Sequence, residues 1–204
     1  MISIIDCGLE RLRDLVSAFS FLGCQVSFAR LPSELERASH LVLAGSASFS
    51  STMRELETRS LAPTIHQAIA DGKPFLGIGI GMSALFETSE EDSELEGLGV
   101  IKGSVHPLRT TELPVPHTGW CKLEFSKRPP LVAQLAEEPL MFFDHATKVV
   151  PDDASWTVAT IDYAEAIPAL LWRGNLFATQ FLPELSKQTG YSLLKAFGQL
   201  APIE

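Results

Sequence analysis

The stretch Lys73-Pro74-Phe75-Leu76-Gly77-Ile78-Gly79-Ile80-Gly81-Met82-Ser83-Ala84-Leu85-Phe86 decides how this chain folds. Its first half is a short apolar run that reads as a buried strand, and Ala84-Leu85-Phe86 reads as the start of a helix. A strand that turns sharply into a helix lifts one residue above the edge of a sheet, and the helix N-terminus behind it stabilises negative charge. Hydrolases and transferases place a nucleophile at such a turn. Here the residue at the turn is Gly79, which has no side chain with which to attack anything.

Upstream of this elbow, strand and helix signals alternate. Residues 2–5 form an apolar run ending at Asp6-Cys7-Gly8, and Leu12, Leu15, Val16, Phe19 and Leu22 then recur at helical spacing up to Gly23, a C-cap residue. A second strand is expected at 25–28, a short helix at 32–38, and a third strand at 41–43 ending in the small-residue loop Ala44-Gly45-Ser46-Ala47. A helix over 51–70, broken near Pro63, leads to the fourth strand at 75–78. Alternation of this kind implies right-handed crossovers and a largely parallel sheet with helices on both faces.

Beyond Glu87 the pattern changes. Glu90, Glu91, Asp92, Glu94 and Glu96 lie among small polar residues and read as a solvated loop. Strand-like runs follow at 99–101, 121–125, 140–143, 157–161, 169–172 and 176–180, as expected of an antiparallel extension of the sheet. An amphipathic helix over 185–200 closes the chain. No repeat or long linker divides it, so 1–204 reads as one domain.

Apolar residues make up 46% of the 204, enough for a large α/β core. The net charge of −9 and the lack of any Lys/Arg run argue against nucleic-acid or anionic-membrane partners. Cys7, Cys24 and Cys121 fit no zinc pattern and no redox pair, and read as reduced thiols of a cytoplasmic protein. The apolar start Met1-Ile2-Ser3-Ile4-Ile5 lacks a basic flank or cleavage site and reads as a core strand rather than a signal peptide, and no run is long enough to cross a bilayer. No metal site and no cofactor motif is expected.

Several segments in order carry a family resemblance: Asp6-Cys7-Gly8, Leu43-Ala44-Gly45-Ser46-Ala47-Ser48-Phe49, the elbow 75–83, Gly97-Leu98-Gly99-Val100-Ile101-Lys102-Gly103, Val115-Pro116-His117-Thr118-Gly119-Trp120, Phe142-Phe143-Asp144-His145 and Gln180-Phe181-Leu182-Pro183-Glu184. Their order and spacing resemble the class I glutamine amidotransferases, and within them the glutaminase subunits of imidazole glycerol phosphate synthase, from histidine biosynthesis. The resemblance implies an α/β, flavodoxin-like three-layer domain. It also implies a cysteine nucleophile that attacks the glutamine side-chain amide, a histidine base oriented by a glutamate, and ammonia delivery to a (β/α)8-barrel synthase partner.

Carried over residue by residue, that triad falls on Gly79, Leu182 and Glu184. The family glutamine after Gly-Met falls on Ser83, the asparagine after Gly-Trp on Cys121, the Asn-Leu after the first strand on Arg11-Leu12, and the oxyanion loop on Ala44-Gly45-Ser46-Ala47. The departures gather at the active-site positions, while the scaffold positions match. Gly79 removes the strain that a side chain would meet at an elbow, and Leu182 replaces a polar ring with an apolar filler. Cys7 ends the first strand at the same sheet edge, but a buried structural thiol is the expected reading.

Two functions follow. The first is a pseudo-glutaminase: a non-catalytic partner or regulator of a barrel synthase, docking through a heterodimer face that includes Arg11, His117 and Trp120. The second is a small-metabolite-binding or differently catalytic module using the altered cleft, with Gly45, Ser46, Ser83, Asp144 and His145 as candidate lining residues.

Overall fold

The computed structural model describes residues 1–7, 12–45 and 48–203. β1 (Ile2–Ile5) is followed by α1 (Leu12–Phe21), β2 (Val26–Ala29), α2 (Pro32–Arg37), β3 (His40–Gly45), α3 (Phe49–Thr58) and α4 (Ala62–Ala70). The elbow itself is β4 (Phe75–Gly79) and the single-turn α5 (Ile80–Ser83). The second half contains β5 (Phe86–Ser89), β6 (Ile101–Pro107), β7 (His117–Lys122), β8 (Glu124–Phe125), β9 (Leu140–His145) and β10 (Thr147–Pro151). It closes with β11 (Thr157–Asp162), β12 (Ala166–Arg173), β13 (Leu176–Thr179) and α6 (Lys187–Gly198).

Eight strands form the central sheet in the order β2-β1-β3-β4-β13-β12-β11-β8. Pairings from β2 to β13 are parallel, and those from β13 to β8 are antiparallel. The period-2 alternation of the strands sorts their side chains into two cores. Ile2, Ile4, Val42, Leu76 and Ile78 face α1 and α6, where Phe19 and Phe197 are buried. Ile5, Leu41, Leu43 and Phe75 face α2, α3 and α4, where Leu35, Phe49, Leu56 and Ile65 are buried. The result is the expected three-layer α/β arrangement.

Helix ends follow local chemistry. Gly23 ends α1 at φ +78, with Cys24 N donating to Phe19 O at 3.0 Å. The expected break near Pro63 falls at Ser60, φ +53, and Pro63 itself sits in the first turn of α4, where its missing N–H is tolerated.

Three expectations need correction. Ala84-Leu85-Phe86 does not start a helix: α5 stops after one turn and β5 begins at Phe86. Ala84, Leu85 and Phe86 are all fully buried, which a helix with one solvent-facing side does not permit. The acidic segment is not simply a solvated loop. Glu91 Oε2 accepts from Phe49 N at 3.2 Å and so caps the N-terminus of α3, where carboxylates are favoured, and Asp92 Oδ2 accepts from the Ser50 hydroxyl beside it at 3.2 Å. Finally, only β12, β11 and β8 extend the main sheet. β5, β6 and β10 form a separate three-stranded sheet, and β7 pairs with β9 in a two-stranded ribbon.

The elbow depends on close backbone approach. A Cβ on Gly81 would stand 1.8 Å from Leu43 O, so α5 rests directly on β3 only because residue 81 has no side chain. Gly81→Ala is expected to lower unfolding free energy by about 3 kcal/mol, the scale of overpacking a tight core. Ser83→Ala removes a buried hydroxyl that has no hydrogen-bond partner among the described residues and is expected to be neutral or slightly stabilising. Urea denaturation of the two variants beside the parent chain checks both.

Candidate functional site

In an open parallel sheet, ligand clefts lie beyond the carboxyl ends of the strands. Here β3 and β4 end side by side, with Gly45 paired to Gly79, and β13 runs parallel on the other side of β4, with Gln180 just beyond its end. A cavity of about 400 Å³ opens above this rim. Its apolar walls include Leu12 and Leu15 of α1, Ile78, Ile80, Pro116 and Leu182. Its polar groups include Ser48, Glu91, Asp144, Gln180 and Glu184. No Lys or Arg lines it among the described residues.

Gly79 sits at φ +57, ψ −114, a backbone conformation that side chains rarely adopt. The elbow therefore keeps the strained geometry expected of a nucleophile turn although the residue has no nucleophile. A Cβ built on Gly79 would meet only Leu182 Cδ2 at 3.6 Å and Gly45 O at 3.8 Å, both ordinary contacts. Residues 79 and 182 thus face one another across the floor of the cleft. Leu182 is held there by its N–H on Phe142 O at 2.9 Å. Ser186 Oγ donates to Leu182 O at 2.7 Å and accepts from Phe142 N at 2.9 Å. Glu184 lies half-buried on the same short turn, Pro183–Leu185, and lines the cavity.

His145 also lines the cavity, but both of its nitrogens are committed. Nδ1 lies 2.7 Å from Thr147 O, so it carries the proton and donates it. Nε2, 3.1 Å from His117 Nδ1, is then the acceptor of a His117 N–H. His117 in turn stacks on Tyr163 at 3.8 Å between ring centres, and on Phe143 at 5.2 Å. Burial pushes the His145 imidazole down to about 4, well below its ordinary value, and also lowers that of His117. Burial pushes the Cys7 thiol up to about 12, with the neighbouring Asp6 carboxylate adding to the effect, so Cys7 supplies almost no thiolate at neutral pH.

Of the residues expected in the cleft, Gly45, Asp144 and His145 line it, and Thr118 Oγ1 donates to Asp144 Oδ1 at 3.0 Å. Ser83 does not. It is the last residue of α5, one helical turn beyond the elbow, and it is buried away from the cavity. Ser46 and Arg11 lie outside the described residues. The two other docking candidates differ sharply. Trp120 is 42% exposed, packed edge-on against Phe142 at 5.6 Å with Lys187 Nζ 5.1 Å above its ring. His117, in contrast, is buried and contributes no surface, because odd-numbered residues of β7 point inward while even-numbered ones face out.

The sequence pattern of the family described as "Glutamine amidotransferase class-I" matches residues 3–199. The chain belongs to this family. It is 39% identical to the imidazole glycerol phosphate synthase subunit HisH of Salinibacter ruber, covering 100% of this chain and 96% of that protein. It is 37% identical to the HisH subunit of Geobacter sulfurreducens, covering 98% of each. Among solved structures, PurLQS from Thermotoga maritima overlays with a TM-score of 0.76 at 18% identity, covering 96% of both chains. A crystal structure of a glutamine amidotransferase overlays at 0.75, also at 18% identity.

In this amidotransferase-family chain, Glu91, Ser48, Thr147 and Pro116 also line the cleft, and no motif in the sequence marks them as cleft residues. Glu91 carries no local signal, since it is one acid of five in a polar run. It reaches the cavity by capping α3, a contact made across 42 residues. Gln180 belongs to a quoted motif, but only the placement of β13 beside β4 brings it to the rim.

The buried imidazole of His145 makes stability depend on pH. Its folded value lies below its unfolded one, so between about 6.5 and 4 the unfolded chain binds a proton that the folded chain refuses. Its stabilising share is whole above pH 6.5 and falls as the solution is acidified, by up to about 1.4 kcal/mol per pH unit. His145→Gln is expected to flatten that part of the stability profile. Urea denaturation at pH 7 and pH 5 measures the difference.

Proposed function

We propose that this amidotransferase-family chain has no glutaminase activity and serves as the non-catalytic partner or regulator of a (β/α)8-barrel synthase, to which it docks as a heterodimer. One observation carries the reading: Leu182 Cδ2 is 3.6 Å from the point where a Gly79 Cβ would stand. The position for an attacking group and the position for a proton-transfer group face each other, and neither holds such a group. Amide cleavage needs a nucleophile, a base to take its proton and a donor for the leaving nitrogen. His145 does not substitute, because its Nδ1–H is bound to a backbone carbonyl and its Nε2 to His117. Cys7 does not substitute, because burial holds it as a thiol. Loss of nucleophile and base together removes most of the rate acceleration.

The docking half of the proposal rests on the β7–β9 ribbon. Trp120, Phe142 and Leu140 share its outer face, with Trp120 and Leu140 exposed. An aromatic flanked by aliphatic surface is a typical interface anchor. The relatives named above are subunits of a synthase, which fits a chain that works in a complex. A synthase in that complex would draw on free ammonia.

The expected result is no release of ammonia or glutamate from glutamine above buffer, alone or with the barrel synthase from the same source. The two chains should co-elute at micromolar concentration, and Trp120→Ala should weaken the complex by about 2 kcal/mol, roughly thirtyfold. Turnover of glutamine would sink the first half of the proposal, and separate elution the second.

A second reading is favoured by the cavity itself, which remains open at about 400 Å³ although Leu182 faces into it. Such a volume suits a small metabolite, and its carboxylates suit a ligand carrying an amino group. A thermal-shift screen over amino acids, amines and phosphorylated metabolites tests it. A ligand at one hundred times its Kd should stabilise the fold by about 2.7 kcal/mol, while a flat screen counts against ligand binding.

A further inference from the structure

Away from the cleft, the outer face of the small sheet carries three side chains in line. Ser104 Oγ is 2.7 Å from His106 Nε2. His106 Nδ1 is 2.6 Å from Glu90 Oε1, and Arg109 Nη2 holds the other Glu90 oxygen at 2.6 Å. The strand geometry explains the alignment. Residues 104 and 106 of β6 share one face. A register shift between Phe86 and Thr88 sets Ser89 against Val105, which brings Glu90 beside His106. Glu90 N then donates to Val105 O at 2.9 Å, fixing the backbone from which the carboxylate reaches across.

The partners also dictate where the protons lie. A carboxylate only accepts, so His106 carries its proton on Nδ1 and turns the Nε2 lone pair toward the Ser104 hydroxyl. That is the arrangement in which an imidazole acts as general base toward an alcohol.

We propose that Ser104, His106 and Glu90 form a second, surface nucleophilic centre that takes acyl groups from small activated esters. Ser104 is the nucleophile, His106 the base, and Glu90 the positioning residue that sets the tautomer. An open depression of about 310 Å³ is lined by His106, Pro107, Arg109, Lys148 and Val150, and an ester seated there meets the imidazole that Ser104 Oγ approaches to 2.7 Å. In the first step Ser104 Oγ bonds to the carbonyl carbon while its proton passes to His106 Nε2. The carbon–oxygen bond to the leaving alcohol then breaks, and that oxygen takes the proton from Nε2. Water, giving a proton to Nε2, hydrolyses the acyl-serine, and the proton returns to Ser104.

β6 is paired on both sides, so its backbone amides do not form an oxyanion hole at Ser104. The acceleration expected is therefore that of nucleophile and base alone, about 10²–10⁴-fold. None of these residues lines the Gly79 cleft, so this centre stands or falls independently of the glutaminase question.

The test uses the full chain with a phosphonofluoridate label, mapped by peptide mass spectrometry, and with 4-nitrophenyl acetate. The expected results are a phosphonyl adduct on Ser104 and ester hydrolysis about a hundredfold or more above that of Ser104→Ala. His106→Ala should fall to the same level as Ser104→Ala. Glu90→Gln should slow the reaction, and Glu90→Asp should recover part of it, a pattern that a purely structural carboxylate does not give. The adduct on the unaltered chain needs no variant, and thermal transitions confirm that each variant is folded. The proposal is overturned by absence of an adduct at Ser104, by Ser104→Ala hydrolysing as fast as the parent, or by labelling that ignores the loss of His106.

Discussion

The architecture of the cleft depends on one contact without side chains: the first turn of α5 lying directly against the backbone of β3. Gly81 makes it possible, because any Cβ there would run into Leu43 O. The contact forces the chain to reverse at Gly79 within a single residue, at φ +57, and this reversal sets the floor of the cavity. The glycine at 79 is therefore compatible with the fold for the same reason that a reactive residue there is strained: the backbone conformation is imposed by packing beneath it.

The second constraint ties the opposite wall to the sheet. Ser186, Leu182 and Phe142 exchange three hydrogen bonds, so the turn holding Leu182 and Glu184 is locked to β9. β9 in turn pairs with β7 and places Trp120 outside and His117 inside. The cleft wall and the exposed ribbon are thus two faces of one unit. His117 and His145, buried between them, join β7 to β9 by an imidazole–imidazole hydrogen bond and link both to β10 through Thr147 O. The exposed Trp120 and the cleft residue His145 thus share one support.

Part of the site is legible along the chain. The motif resemblance assigns a triad to residues 79, 182 and 184, and these three residues line one cavity. Ser83 was misplaced because sequence proximity to the elbow says nothing about which way a single helical turn faces. His117 was misplaced for a similar reason: β7 alternates inward and outward, and one residue of register separates a buried ring from an exposed one. The short helix and the strand after it were confused because Leu85 and Phe86 are buried whichever element they belong to, and apolar runs alone do not distinguish the two.

By itself the sequence determined the three-layer parallel scaffold, the elbow, and the absence of a side chain at residue 79 and of any titratable group at residue 182. These follow from local periodicity, from glycine placement and from residue identity, all of which are written along the chain. Only the tertiary structure decided that Glu91 turns from an acidic run into the cleft, that Ser104, His106 and Glu90 fall into line, and that β5, β6 and β10 form a sheet of their own. Those outcomes depend on register and on pairing between distant segments. A one-residue slip reverses them, and no local pattern encodes the register.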